Sequence, residues 1–320
     1  MRFTILVFAY FLSSLVAFGQ QSGEKFTMEM DYLLYLPDDY TRDTTQQWPL
    51  LIFLHGGGEQ GTDLEKVKKH GPPMLVEKGE KFPFLIVSPQ ARRGWQPEFL
   101  YAMIKAVIKE NRVDEDRVYL TGLSMGGFGT WALAQKHREL FAAIVPICGG
   151  GDTDEIWKLQ HMPVWCFHGA RDKVVPLGSS QNMVDALKVY NPDVKFTIYA
   201  DVGHDSWTQA YNDPHLYEWL LRQKKFKLQE VSIDKKLLNE YAGDYLLKTD
   251  NFERTLKIFV EENKLIVQVG ENKVPLKPAS NFVFFIENQL TELHFLRNSD
   301  GKVDRIKIYD DKIQVFQKIK

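Results

Sequence analysis

Cysteine is scarce: the 320 residues contain two, Cys148 and Cys166. Two thiols make no disulfide framework, and neither belongs to a C-x-x-C pair. Both sit in apolar runs, AAIVPICGG and VWCFHG, where a thiol packs as a small hydrophobe. No H-E-x-x-H is present either, so a metal site has no local support in the sequence. The phosphate-cradling patterns G-x-G-x-x-G and G-x-x-x-x-G-K-[ST] are missing, which argues against a nucleotide site. Charge of one sign is not in excess: the formal net charge is -2, so there is no basic patch for nucleic acid. Long apolar runs are absent beyond the N-terminus, which excludes a membrane span in the mature chain.

That N-terminus, MRFTILVFAYFLSSLVAFGQQSG, places Arg2 before an apolar run from Ile5 to Phe18. The run is short of the roughly 20 residues that cross a bilayer. With Ala17-Phe18-Gly19 behind it, the pattern is that of a signal peptide over residues 1–19, cleaved after Gly19. A secreted or periplasmic location follows. No cysteine follows the cleavage point to carry a lipid.

Beyond it, short apolar runs alternate with amphipathic stretches. FTMEMDYLLYLP reads as early antiparallel strands. WPLLIFL, FPFLIVSP, RVYLTGL, FAAIVPI, PVWCFHG and VKFTIYA read as strands. EFLYAMIKAVIKEN and GFGTWALAQKHREL carry apolar residues at helical spacing. Continuous apolar strands suit a sheet covered on both faces, and strand–helix alternation implies mostly parallel strands. Near residue 230 the texture changes. From Asp234 onward the runs alternate with period two, and Asp300-Gly301 is a hairpin dipeptide. The chain therefore divides into an α/β catalytic domain over 20–228 and a small antiparallel β domain over 233–320.

The chemistry gathers at strand ends. Gly122-Leu123-Ser124-Met125-Gly126 fits G-x-S-x-G between a strand and a helix. The sharp turn leaves no room for side chains two residues either side of its apex, so glycines stand there and the hydroxyl stands clear. A serine hydroxyl needs a base to take its proton. In the order Ser, Asp, His, the acid is Asp172 in FHGARDKVVP and the base His204 in VKFTIYADVGHDSW. Asp152, Asp201 and Asp205 are rivals for the acid. Of the eight histidines, His55 and His168 follow strands but suit local turn shaping, and His70, His137, His161 and His215 suit the surface. An oxyanion hole needs fixed donors. The Met125 backbone N–H is one, and Gly57, or alternatively Gly58, of HGGGE supplies the other. Trp95 and Trp207 fit either a pocket mouth that stacks on substrate or plain loop packing. Gln90, on the same edge, is a further substrate-binding candidate, like Glu59 and Asp152 open to a purely local role.

HGGGEQGTD, TGLSMGGFGTW, PICGGGD, FHGARDKVVP and DVGHDSW together resemble the α/β-hydrolase superfamily. Within it they are similar to secreted serine esterases of the predicted-peptidase, phospholipase/carboxylesterase-like and feruloyl-esterase-like kind. The resemblance implies an α/β-hydrolase fold, no metal and no cofactor. It gives Ser124, Asp172 and His204 the triad roles, and implies a small-molecule or polysaccharide-linked ester as substrate. Two other functions compete: a serine peptidase of the prolyl-oligopeptidase type, and a non-catalytic glycan or cell-wall binding protein. The region from NEYAGDYLL is similar to small β domains appended to some bacterial serine hydrolases.

Overall fold

The computed structural model describes residues 29–320, so the signal-peptide expectation lies outside the described residues. Among them, no helix is long and apolar enough to cross a membrane. The first part of the chain forms one sheet from β1 (Tyr32–Tyr35), β2 (Trp48–Leu54), β3 (Leu85–Pro89), β4 (Val113–Leu123), β5 (Ala143–Ile147), β6 (Trp165–Gly169) and β7 (Lys195–Tyr199). The strand order is β1-β3-β2-β4-β5-β6-β7. Strands β2 to β7 run parallel, and β1 lies antiparallel on β3 at the edge. The described part of FTMEMDYLLYLP supplies only this one strand.

Each strand of the middle of the sheet feeds two cores, which explains its continuous apolar runs. Leu50, Ile52 and Leu54 of β2 join a cluster with Leu100, Ile104 and Val107 of α2 (Pro97–Glu110) and Trp131 of α3 (Met125–Lys136). The alternate residues Leu51 and Phe53 join a second cluster on the other face, with Tyr211 and Leu216. Leu100, Met103, Ile104 and Val107 are the buried residues of α2, one stripe at helical spacing. Because β3 and β4 lie on opposite sides of β2, the strand order reverses direction there. That switch point is where open α/β sheets place ligands, beyond the carboxyl ends of the strands.

The second part is a closed barrel of antiparallel strands, in the order β10-β11-β12-β13-β14-β15-β8-β9. These are β8 (Gly243–Thr249), β9 (Phe252–Glu261), β10 (Lys264–Val269), β11 (Asn272–Pro278), β12 (Val283–Phe285), β13 (Glu292–Arg297), β14 (Val303–Tyr309) and β15 (Ile313–Lys318). A barrel of this strand number is just wide enough for side chains to fill it. Tyr245, Phe284, Phe295, Ile306 and Phe316 do so. Leu238 and Tyr241 of the short helix Lys235–Tyr241 join that core. The Asp300-Gly301 turn joins β13 to β14, with Asn298 and Lys302 closing it.

The barrel docks against the amino-terminal edge of the parallel sheet. Arg138, past the end of α3, donates to the Leu290 carbonyl. Trp157 packs on Tyr309 with ring centroids 5.8 Å apart. At the centre of the joint Glu292 is 4% exposed. It accepts from Gln160 Nε2 at 3.0 Å, His161 Nε2 at 2.8 Å and His294 Nε2 at 2.9 Å. Burial alone would raise its pKa; the bonds from His161 and His294 prevail and bring it down to about 2. His161 is exposed, as expected, yet it also meets the barrel and stacks at 4.1 Å on Phe226 of the connecting segment.

Candidate active site

Strand β4 ends at Leu123, α3 begins at Met125, and Ser124 alone makes the turn, with φ 52 and ψ -117. A left-handed backbone at a non-glycine residue is strained, and such strain gathers at functional sites. The crowding inferred at the flanking glycines has a direct measure. A Cβ on Gly122 would lie 2.4 Å from the Gly126 carbonyl oxygen, and one on Gly126 would lie 2.0 Å from that of Leu54. The turn is also tied to its neighbour: Ser124 N–H donates to the Ile147 carbonyl at 3.0 Å.

His204 arrives from the loop after β7 and Asp172 from the loop after β6. His204 Nε2 lies 2.9 Å from Ser124 Oγ, and His204 Nδ1 lies 2.7 Å from Asp172 Oδ2. A carboxylate facing Nδ1 fixes the ring proton there and leaves Nε2 to accept from the serine hydroxyl. The imidazole is 21% exposed while the Asp172 side chain is 0% exposed. Burial pushes the Asp172 carboxyl up, but the bonds from His204 and from the Val175 and Val174 backbone N–H groups outweigh it and hold it below the usual carboxylate range. Those two amides sit 2.9 Å and 2.8 Å from Oδ1. The two loops are joined by Arg171 N–H donating to the Val202 carbonyl at 2.9 Å.

The turn after β2 lies over the start of α3, where Gln60 Nε2 meets Met125 Sδ at 3.1 Å. Gly57 and Gly58 are exposed, and a Cβ on either would meet nothing within 4 Å. Their backbone faces open space on the same edge as Ser124. Met125 is the first residue of α3, where N–H groups have no intrahelical acceptor. His55 holds the turn from beneath: its Nε2 accepts from Ala91 N–H at 3.0 Å and its Nδ1 donates to the Gly56 carbonyl at 2.7 Å.

Three of the residues considered as substrate contacts are turned elsewhere. Gln90 is buried and donates from Nε2 to the Glu59 carbonyl at 2.8 Å, so it braces the glycine turn instead of meeting substrate. Trp207 is 9% exposed. Its ring meets His204 edge-on at 5.1 Å and His70 at 5.4 Å, which makes it a wall behind the imidazole with no free face to stack. Trp95 is half-buried, donates to the His55 carbonyl at 3.1 Å and lies 4.7 Å from the His55 ring, in a packing role. Asp201 pairs with Arg171 at 2.5 Å and Asp205 caps Thr208, so neither reaches His204 Nδ1. Asp152 is exposed and bonds the Asp154 N–H.

Sequence reasoning missed several neighbours. His70, expected at the surface, packs on Trp207. His168 Nε2 lies 3.3 Å from Asp172 Oδ2, beneath the acid. Cys148 lies at the end of β5, its thiol within 4.8 Å of Asp172 and His204 ligand atoms. Its signal was its strand-end position, shared with Ser124. These three groups do not make a convincing metal site: burial pushes the Cys148 thiol up to about 12, and Asp172 Oδ2 is committed to His204.

A mostly parallel sheet with a strained serine turn between strand and helix, and an acid and a histidine on later strand ends, defines the α/β-hydrolase fold. The chain has this fold. Residues 62–218 match the Dienelactone hydrolase family. The chain is 26% identical over 199 residues to the bifunctional acetylxylan esterase/xylanase XynS20E of Neocallimastix patriciarum, covering 59% of this chain and 28% of that one. It is 26% identical over 168 residues to a probable feruloyl esterase C of Aspergillus terreus, covering 48% and 59% respectively. The match thus spans less than two thirds of either relative. Among solved structures, a thermostable esterase matches with 33% identity and a TM-score of 0.53, over 62% of this chain and 60% of that one.

Proposed function

We propose that this protein is a serine hydrolase that cleaves carboxylic esters through an acyl-enzyme, with feruloyl or acetyl esters of polysaccharides as its substrate class. The observation that carries the reading is the chain of short contacts from Ser124 Oγ to His204 to Asp172. Ser124 attacks the ester carbonyl as His204 Nε2 takes its proton. Asp172, held ionised by the bonds from His204 and from its two amide donors, keeps the imidazole in place and stabilises its charged form. The Met125 and Gly57 N–H groups receive the developing oxyanion, with Gly58 as the alternative donor; one such donor is worth roughly 2.7–4 kcal/mol. His204 then protonates the leaving alcohol, and water repeats the sequence on the acyl-enzyme. Phe128, one turn along α3 from Ser124 and 41% exposed, offers an apolar contact for the acyl group. The polysaccharide-ester class is supported by the names of the relatives, and the export pattern at the N-terminus suits a polymer outside the cell.

The test is a panel of p-nitrophenyl acetate, methyl ferulate, acetylated xylan and peptide amides, run on wild type and Ser124→Ala. Wild type should cleave the esters and take a fluorophosphonate label at Ser124, and the variant should do neither while folding normally. Ester turnover retained by Ser124→Ala would refute the proposal; cleavage of amides in preference to esters would replace it with a peptidase.

A further inference from the structure

A cavity of about 640 Å³ opens between the α/β layer and the barrel. It lies well away from Ser124. Arg138 on its wall is past the far end of α3, so at 1.5 Å per residue the two ends are about 20 Å apart. That volume and a position between domains are those of a small-molecule site. Phe141, Met162, Phe226, Phe285 and Leu290 give it an apolar wall. Phe226 and Leu290 are each about half exposed despite their size.

Most charges around the cavity are matched within the protein. Glu292 has its three donors. Lys277 pairs with Glu230 and Glu287, Lys227 with Asp116, and Lys158 with Glu155. Glu139 faces His137. Two cations are left over. Arg138 makes no ion pair: it donates to the carbonyl oxygens of Lys158 and Leu290 and stands 5.4 Å from the Trp157 ring centre, with Glu292 and Glu139 as more distant neighbours. Among the described residues no carboxylate comes within ion-pair distance of Lys225; Asp116 and Glu115 are its more distant neighbours. Burial disfavours the charged form of both. A desolvated cation that makes no ion pair is costly, and an anion placed in contact with it reduces that cost.

We propose that this cavity binds a monocarboxylate with an apolar body, its head group at Lys225 and Arg138 and its body against Phe226 and Leu290. Two sources share this chemistry. One is the aryl acid that ester cleavage would release, which rests on the function proposed above; the other is an alkyl (fatty) acid, which does not. The experiment is calorimetric titration of the full chain with ferulate, octanoate, the uncharged octanol and xylohexaose. Saturable binding of a carboxylate is expected, tighter for ferulate if the source is the released acid and tighter for octanoate if it is a fatty acid. Lys225→Met keeps the apolar stem and removes the charge. It should weaken carboxylate binding tenfold or more and leave p-nitrophenyl acetate turnover and melting temperature unchanged. Phe226→Ala should weaken binding as well. Octanol binding as tightly as octanoate, unchanged affinity in Lys225→Met, preference for xylohexaose, no saturable carboxylate binding, or binding solely in competition with the ester substrate would each overturn the proposal. Octanoate binding in a protein that cleaves no ester would reject the function and keep the site.

Discussion

Glu292→Gln should loosen the barrel from the α/β layer without touching the serine turn. The carboxylate is nearly buried at the joint, where it gathers donors from both sides. Its pKa falls from an ordinary 4.5 to about 2 in the folded protein. At 1.36 kcal/mol per unit, that difference amounts to about 3 kcal/mol in favour of the folded, ionised state. The folded value is the depressed one, so this stabilisation is complete above 4.5 and disappears as the pH falls toward 2. A glutamine keeps one acceptor oxygen, which makes about 3 kcal/mol the ceiling for the variant's deficit. Urea unfolding should be followed by tryptophan fluorescence, since Trp157 packs on Tyr309 across the joint. Limited proteolysis between residues 223 and 234 gives a local readout. Near neutral pH the variant should unfold at lower urea and be cut faster than wild type, and the two should converge as the medium is acidified. Equal stability near neutrality, or a gap that persists undiminished at the acid end, would refute the reasoning.

Gly126→Ala should cost about 3 kcal/mol or more, because the added carbon would lie 2.0 Å from the Leu54 backbone oxygen; a urea midpoint equal to wild type would contradict this. Asp172→Asn should keep the fold and cut kcat by about four orders of magnitude, read on p-nitrophenyl acetate. Phe128→Ala should raise KM for methyl ferulate about threefold to tenfold, with p-nitrophenyl acetate little affected; an unchanged KM would remove Phe128 from the acyl site. Cys148 and Cys166 are buried, with both thiols pushed up to about 12 by burial. A disulfide-exchange reagent should therefore leave them unlabelled in the native protein and label both in denaturant.

Much of the α/β layer is legible in the sequence because burial leaves a plain mark. Strand β2 reads as an unbroken apolar run since Leu50 and Leu51 feed opposite cores. Helix α2 shows its single buried stripe. The period-two texture after Asp234 marks the barrel strands, but not their closure, which depends on Leu246 pairing with Gln317 far along the chain. Nor does the sequence say where the barrel sits, since that is decided by a few contacts such as Glu292 with His161. At the site, strand ends point to the right edge of the sheet, and Ser124, Asp172 and His204 meet there. Side-chain direction is not written in such a pattern. Gln90 and Trp207 also stand on that edge, yet one turns in to the Glu59 carbonyl and the other to the imidazole. His161 looks like a surface residue and is one, but its pattern does not show that it also meets Glu292 of the barrel.

The placement of the barrel separates two kinds of variation. Backbone contacts of the sheet hold the serine turn: Ser124 N–H on the Ile147 carbonyl, and Gly126 packed on Leu54. The barrel grips the opposite edge, at Arg138, Trp157, Gln160 and His161. Helix α3 spans the distance with most of its residues buried, so its serine end is held by its own packing against the sheet, apart from the exposed barrel loop at the other end. Substitutions in the barrel loop from Glu287 to Leu290 should therefore change stability and cavity binding while leaving kcat on small esters as it was. A kcat that followed the loop substitutions would mean that the two edges are coupled through α3, and would show as a shift in the pH profile of turnover as well as in its size.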